Sequence, residues 1–366
     1  MATIALDATY SADPQLTGIG VYSRRLIEAL LTLETPHRFL ICYRLSRLGR
    51  RQYFIQPGSV PGARAKFSVR VYQEPVTFWL PWQAQLFHSL AQRPPAFHFR
   101  QEIATVFDIF PLTGENYSTA DFRKKFSDLL LQAVGRATRV ITSSHATESL
   151  LISRAQVPPE KIRVIPLGVQ PPAVMLTPQE RRQERARILG GEGEMVLSVG
   201  VIQTRKNTLN MLKALKTLPA RYTLVLSGGN GYGSEAIHEF IRTESLGERV
   251  KLLGFIDDGQ LARLYQAASV FLFPSWEEGF GIPILEAMAG GVPVVTSNVS
   301  SMPEVGGDAA LYVDPHKPAD IAEKVVQAVE DSALRAAMVQ KGLARAREFT
   351  WRRTAEATLA VYDEIL

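Results

Sequence analysis

Cysteine is almost absent: Cys42 is the single one among 366 residues, it lies in an apolar stretch, and one thiol excludes a disulfide framework. A reducing cytoplasm is the expected compartment. Also missing are an apolar run of the roughly 20 residues a spanning helix requires and a basic-apolar-small leader pattern in the opening MATIALDATY. The expectation is a soluble protein or one at the inner face of a membrane. Histidines are few and scattered (His37, His88, His98, His145, His238, His316), with no Cys/His/Asp set at metal-ligand spacing. Metal independence is therefore expected. No G-x-S-x-G elbow supports a Ser-His-Asp hydrolase, and no tandem repeat, heptad array or low-complexity tract interrupts the chain.

What is present is apolar and unevenly charged. At 366 residues and 46% hydrophobic the chain exceeds one ordinary core and suggests two domains. Residues 1–166 hold 20 Lys+Arg and 12 Asp+Glu (20 − 12 = +8), leaving 21 and 24 beyond (21 − 24 = −3). Arg38 to Arg70 includes Arg44, Arg47, Arg50, Arg51, Arg64 and Lys66 with no acid, and Phe78, Trp79 and Trp82 follow. Such a stretch could meet anionic lipid or a phosphorylated acceptor, or could be a solvated basic loop. Nucleic acid is not expected, because no binding module is recognisable.

Short apolar strands alternate with helical stretches, which argues for parallel sheets covered on both faces. Strands are expected at Thr3–Ala8, Phe39–Tyr43, Phe67–Tyr72, Leu86–Ser89, Ile103–Phe107 and Arg139–Thr142, with helices at Val21–Leu33 and Phe122–Gly135. The run KIRVIPLGVQPPAV ends a strand and enters Pro171-Pro172, where missing amide donors suit a linker, so the boundary is expected at residue 170. A second doubly wound series follows at Met195–Val199, Tyr222–Ser227, Val250–Gly254, Val270–Phe273 and Val292–Thr296. The expected architecture is α/β, two facing Rossmann-like domains with a ligand cleft between them.

The most informative run is EEGFGIPILEA, Glu277 to Ala287. It follows an apolar strand and enters a helix with Pro283 in its first turn and Gly290 and Gly291 past its end. Glu278 falls in the loop at the strand's carboxyl end and Glu286 about one turn into the helix, so both can reach one ligand. The amides of Phe280, Gly281 and Ile282 are expected at a positive helix end, where phosphate oxygens bind, and Gly279 and Gly281 let a ligand approach the backbone. Carboxylates for sugar hydroxyls beside amides for phosphate suit a sugar diphosphate. The competing explanation, two glutamates favouring a helix dipole, leaves both glycines unexplained. Gly200 ends a strand, and in the VIQTRKN loop that follows it, Val201 to Asn207, Arg205 with Lys206 precede a helix, where cations oppose the dipole but can offset charge on a leaving diphosphate. Gly18 and Gly20 in TGIGVYSRRL could admit phosphate or form a plain turn, since Ser23 replaces a third glycine. GGNGYG, Gly228 to Gly233, could contact nucleotide or be a flexible loop.

Taken in order, TGIGVYSRRL, ATVFDIFPL, KIRVIPLGV, SVGVIQTRKN, the stretch from Lys251 to Val305 and FTWRRTAEATLAVY resemble the retaining GT-B glycosyltransferases of family 4 over nearly the whole chain. The resemblance implies that Glu278 meets donor sugar hydroxyls, the Phe280 and Gly281 amides the sugar and diphosphate, Glu286 the ribose, and Arg205 with Lys206 the diphosphate. Phe255, Ile256 and Leu261 fall where the family holds the base, and Pro303 and Glu304 match in a structural capacity. The helix from Trp351 to Leu366 would return to the first domain, making domains of 1–170 plus 351–366 and 171–350.

Two departures stand out. Val201 replaces a common Arg after the phosphate-loop glycine, and Phe107 replaces a common His before Asp108, leaving Asp108 as candidate for the role near the transferred sugar. The implied activity is transfer of a hexosyl group with retained configuration, mannose from GDP-mannose favoured, to a hydroxyl of a saccharide or lipid-linked saccharide. A nucleoside diphosphate sugar is the co-substrate, and no metal or other cofactor is expected. UDP-glucose, UDP-galactose and UDP-GlcNAc remain alternatives as donors, as do a GT-B epimerase and a non-catalytic sugar-nucleotide binder.

Overall fold

The computed structural model describes residues 1–366, with Glu115 described in its backbone only. The chain divides into two units, one of residues 1–112, 121–168 and 350–366, the other of 113–120 and 169–349.

The first unit carries β1 (Thr3–Asp7), α1 (Gly18–Thr32), β2 (Arg38–Arg44), β3 (Lys66–Tyr72), α2 (Leu80–Gln83), β4 (Leu86–Ser89), β5 (Gln101–Val106), α3 (Phe110–Thr113), α4 (Ala120–Arg136), β6 (Arg139–Thr142), α5 (His145–Ala155) and β7 (Ile162–Val164). Its strands pair in parallel in the order β3-β2-β1-β4-β5-β6-β7. Runs such as IALD and LFHS are buried along their length, as strands covered on both faces must be.

The second unit contains α6 (Pro178–Leu189), β8 (Glu194–Val199), α7 (Thr208–Thr217), β9 (Tyr222–Ser227), α8 (Ser234–Thr243), β10 (Val250–Gly254), α9 (Asp258–Ala267), β11 (Val270–Phe273) and α10 (Ile282–Ala289). It continues through β12 (Val294–Ser297), α11 (Met302–Gly306), β13 (Ala310–Val313), α12 (Pro318–Glu330) and α13 (Ser332–Glu348). All its strands are parallel, ordered β10-β9-β8-β11-β12-β13. The winding reverses between β8 and β11, so the loops leaving those two strands diverge over a crevice at the sheet's carboxyl edge. Those loops carry Arg205 and Glu278.

The terminal helix α14 (Trp351–Ile365) belongs to the first unit and packs along α1. Its N-cap is Thr350, whose hydroxyl accepts from the Arg353 amide, and Thr354 donates to the Pro166 carbonyl at 2.9 Å. Tyr362 shares a 2.6 Å hydrogen bond with His88 Nδ1, and His88 Nε2 lies 2.8 Å from Thr105 Oγ1. Burial pushes the His88 imidazole down to about 3, so it is neutral there.

Several element ends differ from the sequence expectation, α1 starting at Gly18 and not at Val21, and three differences have a definite physical origin. Strand β13 has no counterpart in it, because a short, half-buried edge strand shows no periodicity. Strand β12 starts at Val294 instead of Val292, since Pro293 has no amide to donate to the ladder. Segment 113–120 groups with the second unit and not with residues 1–170. The Thr113 hydroxyl donates to the Glu277 carboxylate at 2.5 Å, and the turn ending at Tyr117 packs on the turn Thr204–Lys206.

Candidate active site

Gly200 leaves β8 at φ 134°, and Asn207 closes the loop in the left-handed region at φ 60°. The buried Asn207 amide donates to the carbonyls of Pro274, 2.9 Å, and Pro315, 2.8 Å, tying this loop to the ones after β11 and β13. The glycine-rich segment after β9 supports the same loop from its other side. Ile202 and Thr204 amides donate to Gly229 and Tyr232 carbonyls at 2.8 and 3.0 Å, and Gly231 donates back to Ile202 at 2.9 Å. A Cβ on Gly228 would stand 2.1 Å from the Gly200 carbonyl oxygen, so backbone contact explains that glycine. GGNGYG is thus a brace for the loop from Val201 to Asn207, a third use beside the two the sequence suggested.

On this scaffold Arg205 and Lys206 converge on Glu278. Arg205 Nη1 stands 3.0 Å from Glu278 Oε2, and Lys206 Nζ stands 2.6 Å from Oε1. Arg205 also donates to the Glu277 carbonyl, and its carbonyl accepts from the Trp276 amide at 3.0 Å. The ammonium of Lys206 lies 4.5 Å from the centre of the buried Phe273 ring, a cation–π contact. Glu278 is 8% exposed and Arg205 also 8%. Burial would raise the Glu278 carboxyl, yet the charges of Arg205 and Lys206 outweigh it and hold the group at about 2. The Glu278 main chain is pinned as well. Its carbonyl accepts from Ser300 at 2.8 Å and Ser301 at 2.9 Å, and Ser301 also reaches the Phe280 carbonyl at 2.7 Å.

Gly281 caps α10 at φ 110°, and a Cβ there would meet Ile284 at 3.3 Å. Only glycine takes that conformation cheaply. In the first turn of α10 Pro283 has no amide and the Ile284 amide donates to the Gly281 carbonyl at 2.9 Å, so the Ile282 amide is the helix-start donor left without an acceptor inside the helix. Glu286 lies inside the helix, half-buried, and accepts from the Tyr265 hydroxyl at 2.7 Å. Burial raises the Glu286 carboxyl, the Tyr265 bond lowers it, and Asp258 raises it again. Phe255 is 55% exposed and Ile256 and Leu261 are half-buried, so an accessible apolar surface borders the start of α9.

The triad Arg205–Glu278–Lys206 has a definite chemical capacity. Each carboxylate oxygen has one cation and keeps lone-pair capacity for a hydroxyl, while two cations and a helix start provide for phosphate oxygens. Val201 is 44% exposed and brings no charge, leaving Arg205 and Lys206 as the cations of the loop.

The remaining candidates lie in the first unit. Gly18 opens α1 with free space around a would-be Cβ, whereas a Cβ on Gly20 would come within 2.8 Å of the Tyr10 carbonyl oxygen, so Gly20 has a packing reason. The Asp108 carbonyl accepts from Gln92 at 2.8 Å, and the Phe107 ring meets Tyr22 edge-on at 4.7 Å. Phe107 is thus part of an aromatic contact.

Sequence reasoning missed Tyr265, Ser300, Ser301, Phe273 and the Thr113–Glu277 contact. The serines alone left a signal, a polar SNVSS run directly after a strand at the ligand edge of the sheet. Among the described residues no three His, Cys, Asp or Glu side chains are grouped to hold a metal ion, and no helix is long and apolar enough to cross a membrane.

The sequence matches the profile of "Glycosyl transferases group 1" over residues 180–345 and that of "Glycosyltransferase Family 4" over 16–171. It is 30% identical to the O-antigen chain mannosyltransferase B of Escherichia coli, covering 97% of this chain and 98% of that one. The chain is a family 4 glycosyltransferase. The glycosyltransferase is also 30% identical to the serotype-specific mannosyltransferase WbdA of Escherichia coli across 71% of its own length, but spans only 33% of that larger protein. Its fold matches Anabaena HepE, crystallised with UDP and glucose, at a TM-score of 0.77, with 18% identity and both chains covered completely. The two Rossmann-like units of this glycosyltransferase make the GT-B fold that the sequence led us to expect.

Proposed function

We propose that the protein is a retaining, metal-independent hexosyltransferase that moves mannose from GDP-mannose to a hydroxyl of a saccharide or lipid-linked saccharide. The observation that carries this is the ion triad of buried Arg205 and Glu278 with half-buried Lys206 beside the Gly281 start of α10. Arg205 and Lys206 hold the diphosphate and stabilise it as it leaves, Glu278 orients both and accepts from the sugar, and Glu286 with Tyr265 holds the ribose. Phe255, Ile256 and Leu261 border the base. Asp108, carried by the first unit, is assigned the polar role that the family gives to the position Phe107 occupies. No side chain is assigned as a nucleophile: a diphosphate oxygen takes the acceptor's proton as the new bond forms on the face the diphosphate vacates, which keeps the anomeric configuration.

Mannose is favoured by a relative, matched nearly end to end, that bears a mannosyltransferase name. A UDP-sugar donor is the second reading, since HepE, which shares the fold, was crystallised with UDP-glucose. A lipid-linked acceptor is supported by the exposed aromatics Phe78, Trp79 and Trp82, 60%, 43% and 79% accessible in the basic first unit. The test incubates the protein with GDP-mannose, UDP-glucose, UDP-galactose and UDP-GlcNAc, following thermal stability, nucleotide release and the anomeric proton coupling of any product. A donor at 100 times its Kd adds about 2.7 kcal/mol. Stabilisation without release or transfer would replace the enzyme by a binder, and an inverted product would remove the retaining mechanism.

A further inference from the structure

A cleft of about 710 Å³ lies within the second unit between α6 and α13, inside the range of roughly 300–1,000 Å³ typical of small-molecule sites. It sits at the amino ends of the strands, bordered by Ser269 before β11 and Pro293 before β12, so it is at the opposite sheet edge from Arg205 and Glu278. Four arginines line it, Arg181, Arg182 and Arg185 from α6 and Arg335 from α13, and no acid does. Val339 and Leu343 of α13 add an apolar wall.

These arginines are not there to fill a core. Helix α6 packs on α9 without burying any residue fully, and its ends are set by a capping box between Thr177 and Glu180 and a left-handed Gly190. Three of the guanidiniums are fixed in place, Arg335 by donating to the Val329 carbonyl at 3.3 Å. Arg185 donates to the Ala267 carbonyl at 2.8 Å and pairs with Glu194 at 3.2 Å, while Arg181 donates to the carbonyls of Leu176, 3.2 Å, and Gly291, 3.1 Å. Among the described residues Arg181, Arg182 and Arg335 have no carboxylate partner, so Glu194 offsets one charge of four. Their mutual repulsion is felt at Arg185, whose guanidinium is lowered first by burial and further by Arg335, Arg182 and Arg181, against the opposing effect of Glu194. Like charges gathered in a partly desolvated cleft gain most from an anion that takes several forked hydrogen bonds at once.

We propose that the cleft between α6 and α13 is a second anion site, which binds a phosphate ester independently of the donor grip. The phosphate is recognised by the arginines, and the less polar remainder of the ligand rests on the Val339–Leu343 wall. The ligand is either a soluble phosphate ester or the headgroup of an anionic lipid.

The test uses the full chain. Inorganic pyrophosphate titrated calorimetrically into Arg182→Ala/Arg335→Ala should occupy one site fewer per chain than in the wild type, while Lys206→Ala should retain that site. Unchanged stoichiometry and affinity in the double variant would overturn the proposal. A second measurement needs no variant: pyrophosphate should slow phenylglyoxal modification of Arg182 and Arg335 in the wild type at least fivefold, read by mass spectrometry, and equal rates with and without it would also overturn the site. Phosphatidylglycerol vesicles that sediment the wild type but not the double variant identify the lipid headgroup. Pyrophosphate binding with no vesicle difference identifies a soluble ester.

Discussion

Replacing Glu278 by Gln removes one charge while keeping the shape and the acceptor oxygen, which isolates the ion triad from packing. With Arg205 buried and Lys206 half-buried beside it, loss of that charge costs stability as well as turnover. The fall of the Glu278 carboxyl from an ordinary 4.5 to about 2 corresponds to about 3 kcal/mol of stabilisation. That figure agrees with the roughly 3–5 kcal/mol lost when one partner of a buried pair is removed, and exceeds the 0–1 kcal/mol of an exposed pair. Because the folded-state value is depressed, the contribution is complete above pH 4.5 and is lost as the pH falls through about 2. Hydrogen exchange of the β11 amides reports opening of the second unit without assuming that the two units unfold together. At pH 7 those amides should exchange about 100-fold faster in Glu278→Gln, and the wild type should lose most of that protection advantage between pH 4.5 and 2 while the variant does not. A change below about fivefold at pH 7 would mean that the triad behaves as a surface pair, and the geometric account of the phosphate grip would fail with it.

Tyr265→Phe removes the one hydroxyl donated to Glu286, so donor Kd should rise about tenfold with little change in the rate at saturating donor; an unchanged Kd would dissociate Glu286 from the ribose. Gly228→Ala places a Cβ 2.1 Å from the Gly200 carbonyl oxygen at φ 145°, so it should cost at least about 2 kcal/mol of stability, measured by thermal unfolding, and weaken donor binding by displacing the Arg205 loop. The buried His88 carries the opposite charge logic to a paired carboxylate. Its folded-state value is lowered to about 3 from 6.5, so the unfolded chain binds a proton that the folded chain refuses, and stability falls as the pH drops from 6.5 towards 3. The slope should reach about 1.4 kcal/mol per pH unit for that residue and vanish in His88→Gln, as read by urea unfolding of the first unit across pH 6.5 to 4.5.

The strands, the helices between them and the residue types of the site were legible along the chain because each depends on local order. Apolar runs such as VFLF read as buried strands without reference to neighbours, Pro283 and Gly281 mark the start of α10, and the EEGFGIPILEA spacing places one carboxylate in the loop before α10 and the other about one turn into it. Family membership followed from the same linear pattern. Only the tertiary structure decided which of those residues meet. Arg205 and Glu278 are 73 positions apart, and nothing in either segment says that β8 and β11 are neighbours; the winding reversal between those strands makes them so. The same holds for Tyr265 on Glu286, for the brace that GGNGYG gives the loop after β8, and for three arginines of a polar helix facing a fourth from α13. Hydrogen bonds and ion pairs across a sheet edge are contacts between distant parts of the chain. Periodicity and capping act within a few residues and carry no record of them.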